Sequence, residues 1–422
     1  MRVAYYSPLP PERSGIADYS ALLLPALAER IDVDVVGRGS RRFQVGFRRF
    51  RRQADVALYH VGNDPAAHGW IVEALRRRPG IVVLHDFVLH HLVAGMTLGR
   101  GDGGGYLDAM QRESGPVGRM LAHGVIDGVL PPLWEDRAAD YPLAGEVLPS
   151  ATGVIVHSRY VEQLIREAGY AGPVWRVPHP AWIPPAELDR PELPQGRTII
   201  GCFGHLNPAK RLPQLLEAFA SLRRRLPEAL LLLVGSLSPG LELDPVYDRL
   251  GLRIGEDVIH IDYVDEARLW AFLDACDICV NLRYPTMGET SGIVIRALSL
   301  GRPLVVSDVG WFAELPNDIV VKVRVGQGEV AAIADALEKL VREPGLRAAM
   351  GEAGRAAAQG EHEVGRVAEA YVAALEETAG GAAVRDAVLS EIAGAAESAG
   401  LPPNGRALGE ISERLREFGS GR

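Results

Sequence analysis

Residues 277–309 read "DICVNLRYPTMGETSGIVIRALSLGRPLVVSDV". Two apolar runs, "DICVNL" and "PLVVSDV", flank a polar turn and a helix-like segment that ends in Gly301. Neither run alternates apolar with polar residues, so each predicts a strand covered on both faces. Strand, turn, helix and strand in that order form a parallel βα unit. The turn, with Glu289, Thr290, Ser291 and Gly292, then lies at the carboxyl end of a buried strand, where open α/β sheets bind ligands.

The same unit recurs along the chain. "RVAYYS", "VDVVG", "VALYHVG", "IVVLHD" and "GVIVHS" predict strands in the first half. "TIIGCFG", "LLLLVG", "VIHIDYV" and "IVVKV" join the two opening runs in the second half. Amphipathic stretches such as "IADYSALLLPALAER" and "LPQLLEAFASLRRR" separate them. Between the halves, "PHPAWIPPAELDRPELPQG" is dense in proline, which suits neither ladders nor helix interiors, and reads as a linker. The expectation is two doubly wound α/β domains facing a cleft. They run over residues 1–180 and 198–375, with a linker at 181–197 and a helical C-terminal extension at 376–422. "GRGDGGG" reads by composition as a flexible loop, and the helical stretches after it as either a lid or padding.

Length agrees, because 422 residues exceed what one hydrophobic core usually serves. A formal net charge of -9 argues against nucleic acid as the main partner. No apolar run reaches membrane-span length and "MRVAYYSP" lacks a signal-peptide pattern, which predicts a cytoplasmic protein. The three cysteines, Cys202, Cys276 and Cys279, include a C-x-x-C match, yet Cys279 falls within an apolar run and reads as a buried strand residue. No ligand set for a metal is evident.

Three further segments occupy strand ends. In "SPLPPERSGIADYS", Ser14 and Gly15 precede a helix, where free amides and the dipole favour an anion, though a plain N-cap explains Ser14 equally. In "VVLHDFVLHH", His85 and Asp86 close a buried strand, and a histidine there can donate to a sugar hydroxyl or leaving group, or serve structure. His90 and His91 look structural. In "FGHLNPAKRLPQ", His205, Lys210 and Arg211 lie on a loop entering a helix. Cations are disfavoured at a helix start, so their presence suits a pyrophosphate. In the opening turn, Glu289 with the hydroxyls of Thr290 and Ser291 suits a polyhydroxylated ligand, and the amides of Thr290 to Gly292 a phosphate oxygen. The alternative there is helix capping.

Together these segments resemble the retaining glycosyltransferases of family 4, which have the GT-B fold, over nearly the whole chain to about residue 375. The resemblance implies that Gly15 meets the donor phosphate, that His85 contacts the transferred sugar and that Lys210 binds the pyrophosphate. His205 stands at the family's arginine position, with Arg211 as its substitute. Glu289 matches the first glutamate of the family's acidic pair. The second, a ribose ligand, is missing: Arg296 occupies its place when "ALSLGRP" is aligned. Glu314 matches a further family glutamate.

The implied activity is sugar transfer from a nucleotide-diphosphate-sugar donor to an unknown acceptor with retention of configuration. Catalytic positions are His85, Lys210 and Glu289. Donor-binding positions are Gly15, His205, Lys210, Arg211, Glu289, Thr290, Ser291, Gly292 and Arg296. No metal or other cofactor is implied, because helix dipoles and Lys210 offset the leaving diphosphate's charge. Two other readings use the same fold: a nucleotide-sugar-binding protein with impaired catalysis, and a non-hydrolysing nucleotide-sugar epimerase. Separately, "RRFQVGFRRFRRQ" mixes phenylalanine with Arg48, Arg49, Arg51 and Arg52, a composition that suits an anionic inner-membrane face, an anionic acceptor, or a solvated edge.

Overall fold

A computed structural model describes residues 1–38 and 54–381, with Gly394, Ala395 and Ser398 beyond them. The Arg48–Arg52 segment and the final "ALGEISERLREF" lie outside the described residues. The chain divides into two units. The first holds Met1–His157, Glu162–Val177 and the last helix from Ala368, and the second holds Ser158–Val161 and Pro178–Val367. Residues 177–197, the proline-rich stretch, form neither helix nor strand.

The first unit is built on β1 (Arg2–Tyr6), β2 (Asp32–Val36), β3 (Val56–Val61), β4 (Gly80–Leu84), β5 (Ala151–Val156) and β6 (Val174–Arg176). All pair in parallel, in the order β2-β1-β3-β4-β5-β6. Every residue of β3 and β4 is buried, as non-alternating apolar runs require. The sixth strand, "VWR", was not expected, since three residues are too few to show a pattern. The segment "GRGDGGG" departs from the loop expected of it. Asp102 accepts from the Gly105 amide at 2.8 Å and so caps a helix that begins at Gly103. That helix breaks at Ser114 and Gly115, and its two halves enclose Tyr106, Met110, Ala122, Leu133 and Leu143 in a small apolar core of the first unit. The helix Val364–Ala379 brings Tyr371 back to this unit, with its hydroxyl 2.7 Å from that of Tyr19.

The second unit contains β7 (Thr198–Phe203), β8 (Ala229–Val234), β9 (Val258–Ile261), β10 (Ile278–Asn281), β11 (Leu304–Ser307) and β12 (Val320–Val323). These are the six expected strands, all parallel, in the order β12-β11-β10-β7-β8-β9. The opening segment folds as read: β10, a turn, the helix Gly292–Leu300, Gly301 in the left-handed region at φ 66°, then β11. Both units are thus doubly wound, Rossmann-like α/β domains. All three cysteines are buried and free. No helix among the described residues is long and apolar enough to cross a membrane.

At the carboxyl edge of the second sheet, the loops leaving β7 and β8 pass in direct contact. Gly204 has φ 85° and Gly235 φ 141°, and a Cβ on Gly235 would collide with the Gly204 carbonyl. The backbones meet there because Gly235 has no side chain and Gly204 adopts a positive φ. Gly235→Ala should destabilise the protein by about 2–4 kcal/mol, combining a forbidden φ with a backbone clash. A shift of the urea midpoint measures it, and an unchanged midpoint would mean that the loops separate freely.

Candidate functional site

In the second sheet the strand order reverses between β7 and β10, and ligands of such sheets bind outside the carboxyl ends at that point. The loops that follow these two strands carry most of the expected residues.

The loop after β7 makes a single 3-10 turn at Pro208–Lys210, which folds the Lys210 side chain back under the strand end. Its Nζ donates to the Phe203 carbonyl at 2.6 Å, and the residue is only 4% exposed. An ammonium has three protons to donate, and this bond is the only one found for it among the described residues. Burial lowers its pKa to about 8, the charge of Arg283 adds to the lowering, and Cys202 and Glu289 oppose it. A desolvated cation with spare donors is poised for an anion.

The loop after β10 supplies the counter-charge. Glu289 Oε1 lies 2.7 Å from Arg283 Nε. Its Oε2 accepts from the Thr286 hydroxyl at 3.0 Å and the Met287 amide at 2.7 Å. The carboxylate is therefore held by the turn that precedes the helix, and it does not cap that helix. Ser291 does so, accepting from the Val294 amide at 3.4 Å and from Asn281 Nδ2 at 3.1 Å. Thr290 is half-buried beside it, and Gly292 opens the helix against Trp182 and Arg296.

Other expected positions have different surroundings. Arg211, in the left-handed region at φ 56°, aims its guanidinium at Glu329, with Nε 3.0 Å from Oε1. That carboxylate is itself buried, so the charge of Arg211 is taken up. His205 is exposed, its Nε2 2.9 Å from the Ser238 hydroxyl. Arg296 lies with its guanidinium 3.6 Å from the centre of the Trp182 ring and donates to Glu266 Oε1 at 3.1 Å. Glu314 accepts from the Arg159 and Tyr160 amides at 3.1 and 2.7 Å.

In the first unit, Ser14 caps the helix Gly15–Ala28 by accepting from the Ile16 amide at 3.2 Å. A Cβ on Gly15 would meet nothing within 4 Å, so space is open at this helix start. Tyr19 on the same helix stands edge-on to His85, ring centres 4.8 Å apart. His85 Nε2 is 2.9 Å from Nδ1 of His60, a fully buried residue of β3. Burial first, then the charges of His157 and His68, push the His60 pKa well below the usual value. His60 is therefore neutral, and one proton serves the His60–His85 contact. Sequence reasoning missed both His60 and Arg283. Each is a charged or polar residue in or just past an otherwise apolar strand, which was the available signal. His90 is structural as expected, its Nε2 2.8 Å from the Tyr106 hydroxyl.

Comparison with known proteins gives a family match within the second unit. Residues 185–357, which include Lys210, Arg283 and Glu289, match the family described as glycosyl transferases group 1. Among curated relatives, an uncharacterized glycosyltransferase, YqgM of Bacillus subtilis (strain 168), is 24% identical over 214 residues, 50% of this chain and 56% of that protein. The phosphatidyl-myo-inositol mannosyltransferase of Mycobacterium leprae (strain TN) is 32% identical over 157 residues, 36% of this chain and 39% of that protein. The chain thus spans about half or less of the length of these relatives. Sucrose-phosphate synthase from Thermosynechococcus elongatus superposes with a TM-score of 0.59 at 18% identity, over 90% of this chain and 99% of that one. That likeness shows the GT-B fold.

Two predictions follow from the charges. Folding lowers the Lys210 pKa from 10.5 to about 8, so the unfolded chain holds this proton over a range where the folded one has released it. The ligand-free protein therefore gains stability as pH rises through that window. Lys210→Met should melt higher than wild type at neutral pH, with the difference shrinking toward about pH 10. A constant difference in melting temperature would contradict the buried charge. Arg296→Met, which removes a desolvated cation–π contact, should lower stability by about 1–2 kcal/mol in denaturant titration.

Proposed function

We propose that the protein is a retaining glycosyltransferase that moves a sugar from a nucleotide-diphosphate donor to an acceptor. The observation that carries this reading is Lys210: a buried ammonium with one carbonyl partner, beside Glu289, at the switch point of a group 1 domain. The diphosphate lies against Lys210 and the amides at the start of the helix Gly292–Leu300, which offset the charge that builds on the leaving group. Glu289 receives hydrogen bonds from hydroxyls of the donor sugar. His85 donates to a sugar hydroxyl, with His60 holding its ring. Retention follows from a front-face path, in which the leaving phosphate takes the acceptor's proton as the new bond forms on the same face. The chemistry needs no resident metal in this reading, since protein cations and dipoles meet the diphosphate. The protein acts in the cytoplasm.

A thermal-shift screen against UDP-, GDP-, dTDP- and ADP-sugars identifies the donor. With that donor, Glu289→Ala should lower transfer about 100-fold or more while weakening nucleotide binding far less. Product NMR should show the donor's anomeric configuration retained. Donor binding without transfer to any acceptor would favour the impaired binding protein, and a 2-epimer of the donor would favour the epimerase.

A further inference from the structure

Arg283 lies two residues beyond β10. Its backbone amide is anchored at the sheet edge by the Ser307 hydroxyl at 2.9 Å. Its side chain is 14% exposed. Nε sits 2.7 Å from Glu289 Oε1, yet that buried N–H has no aligned hydrogen bond. None of its side-chain N–H groups makes a hydrogen bond to the described residues. Arg296 and Arg302 likewise leave Nε without a hydrogen bond, but each donates through Nη2 to a carboxylate, whereas no terminal nitrogen of Arg283 does so among the described residues. Neighbouring arginines are committed: Arg211 to Glu329, Arg296 to Trp182 and Glu266, and Arg302 to Asp274.

The local balance of charge is also incomplete. Lys210 and Arg283 are two cations with Glu289 as their shared acid, and the second oxygen of Glu289 is already used by Thr286 and Met287. One positive charge is left over, together with spare donors on both cations. A diphosphate supplies the missing negative charge and the acceptor oxygens, and the planar fork of an arginine matches phosphate geometry.

Building on the glycosyltransferase reading, we propose that Arg283 is the second cation of the donor-phosphate site and a latch on Glu289. Without ligand, Arg283 rests against the carboxylate. When a diphosphate binds, the guanidinium moves onto its oxygens and Glu289 is released to accept from the sugar. Phosphate binding thereby prepares the sugar site, and the carboxylate is never left facing the diphosphate without a cation in between.

Calorimetry with inorganic pyrophosphate, UDP and GDP tests this on the full chain. Arg283→Gln should weaken pyrophosphate binding about tenfold or more. Glu289→Gln should tighten it several-fold, because Arg283 is no longer held, and that gain should vanish in the double variant. Wild-type affinity in Arg283→Gln overturns the proposal, as does a gain that persists in the double variant. Should Arg283→Gln fail to fold, Arg283→Lys carries the test: it keeps the charge but loses the fork, so binding should weaken about threefold or more. Equal affinity there overturns the proposal. Failure of the wild type to bind pyrophosphate, UDP and GDP would instead overturn the glycosyltransferase reading. If Lys210→Met weakens binding and Arg283→Gln does not, the donor reading survives and the latch alone falls.

Discussion

The hydrogen bond from Lys210 to the Phe203 carbonyl organises the second unit's site. It places a cation under the end of β7, out of water, where the strand order reverses. A charge in that position is unfavourable because burial penalises the ammonium, and this lowers the pKa of Lys210. Nearby features answer to it. Glu289 is held by its own turn within electrostatic reach of Lys210, and Arg283 lies against that carboxylate. Gly204 and Gly235 let the strand ends close up so that the 3-10 turn can fold the lysine inward. Stability is given up locally at this buried cation.

The first unit uses a different device. At its strand ends, buried imidazoles and phenols pair with one another. Tyr5 donates to Ser20, whose hydroxyl also meets that of Ser7, and Tyr19 meets Tyr371. Within this cluster His85 is located by His60 on one side and Tyr19 on the other. Such a network fixes ring orientation without bringing an unpaired charge indoors. The return of the last helix to this unit is part of the same arrangement, since Tyr371 sits on it.

Much of this was legible in the sequence. Apolar runs revealed eleven of the twelve strands, and central ones such as β3, β4 and β8 do not alternate because both of their faces are buried. Position at a strand end singled out Lys210, Glu289 and His85, because a parallel sheet opens its loops to ligands on one side only. Composition failed at "GRGDGGG", where a single aspartate cap outweighed glycine's reluctance to form helix. Arg211 and Arg296 looked like ligand-facing cations beside a helix start. Their surroundings came from residues far along the chain: Glu329 is 118 positions from Arg211, and Glu266 is 30 from Arg296.

Apolar patterning and turn chemistry act over a few neighbouring residues, so the residues at the carboxyl ends of two parallel sheets could be read from the chain alone. Tertiary structure decided which of the cations there keep spare donors. Pairing depends on distances of about 3 Å between side chains from separate elements, and no local pattern encodes those. Lys210 and Arg283 keep donors to offer, while the guanidinium ends of Arg211 and Arg296 are taken up by Glu329 and Glu266.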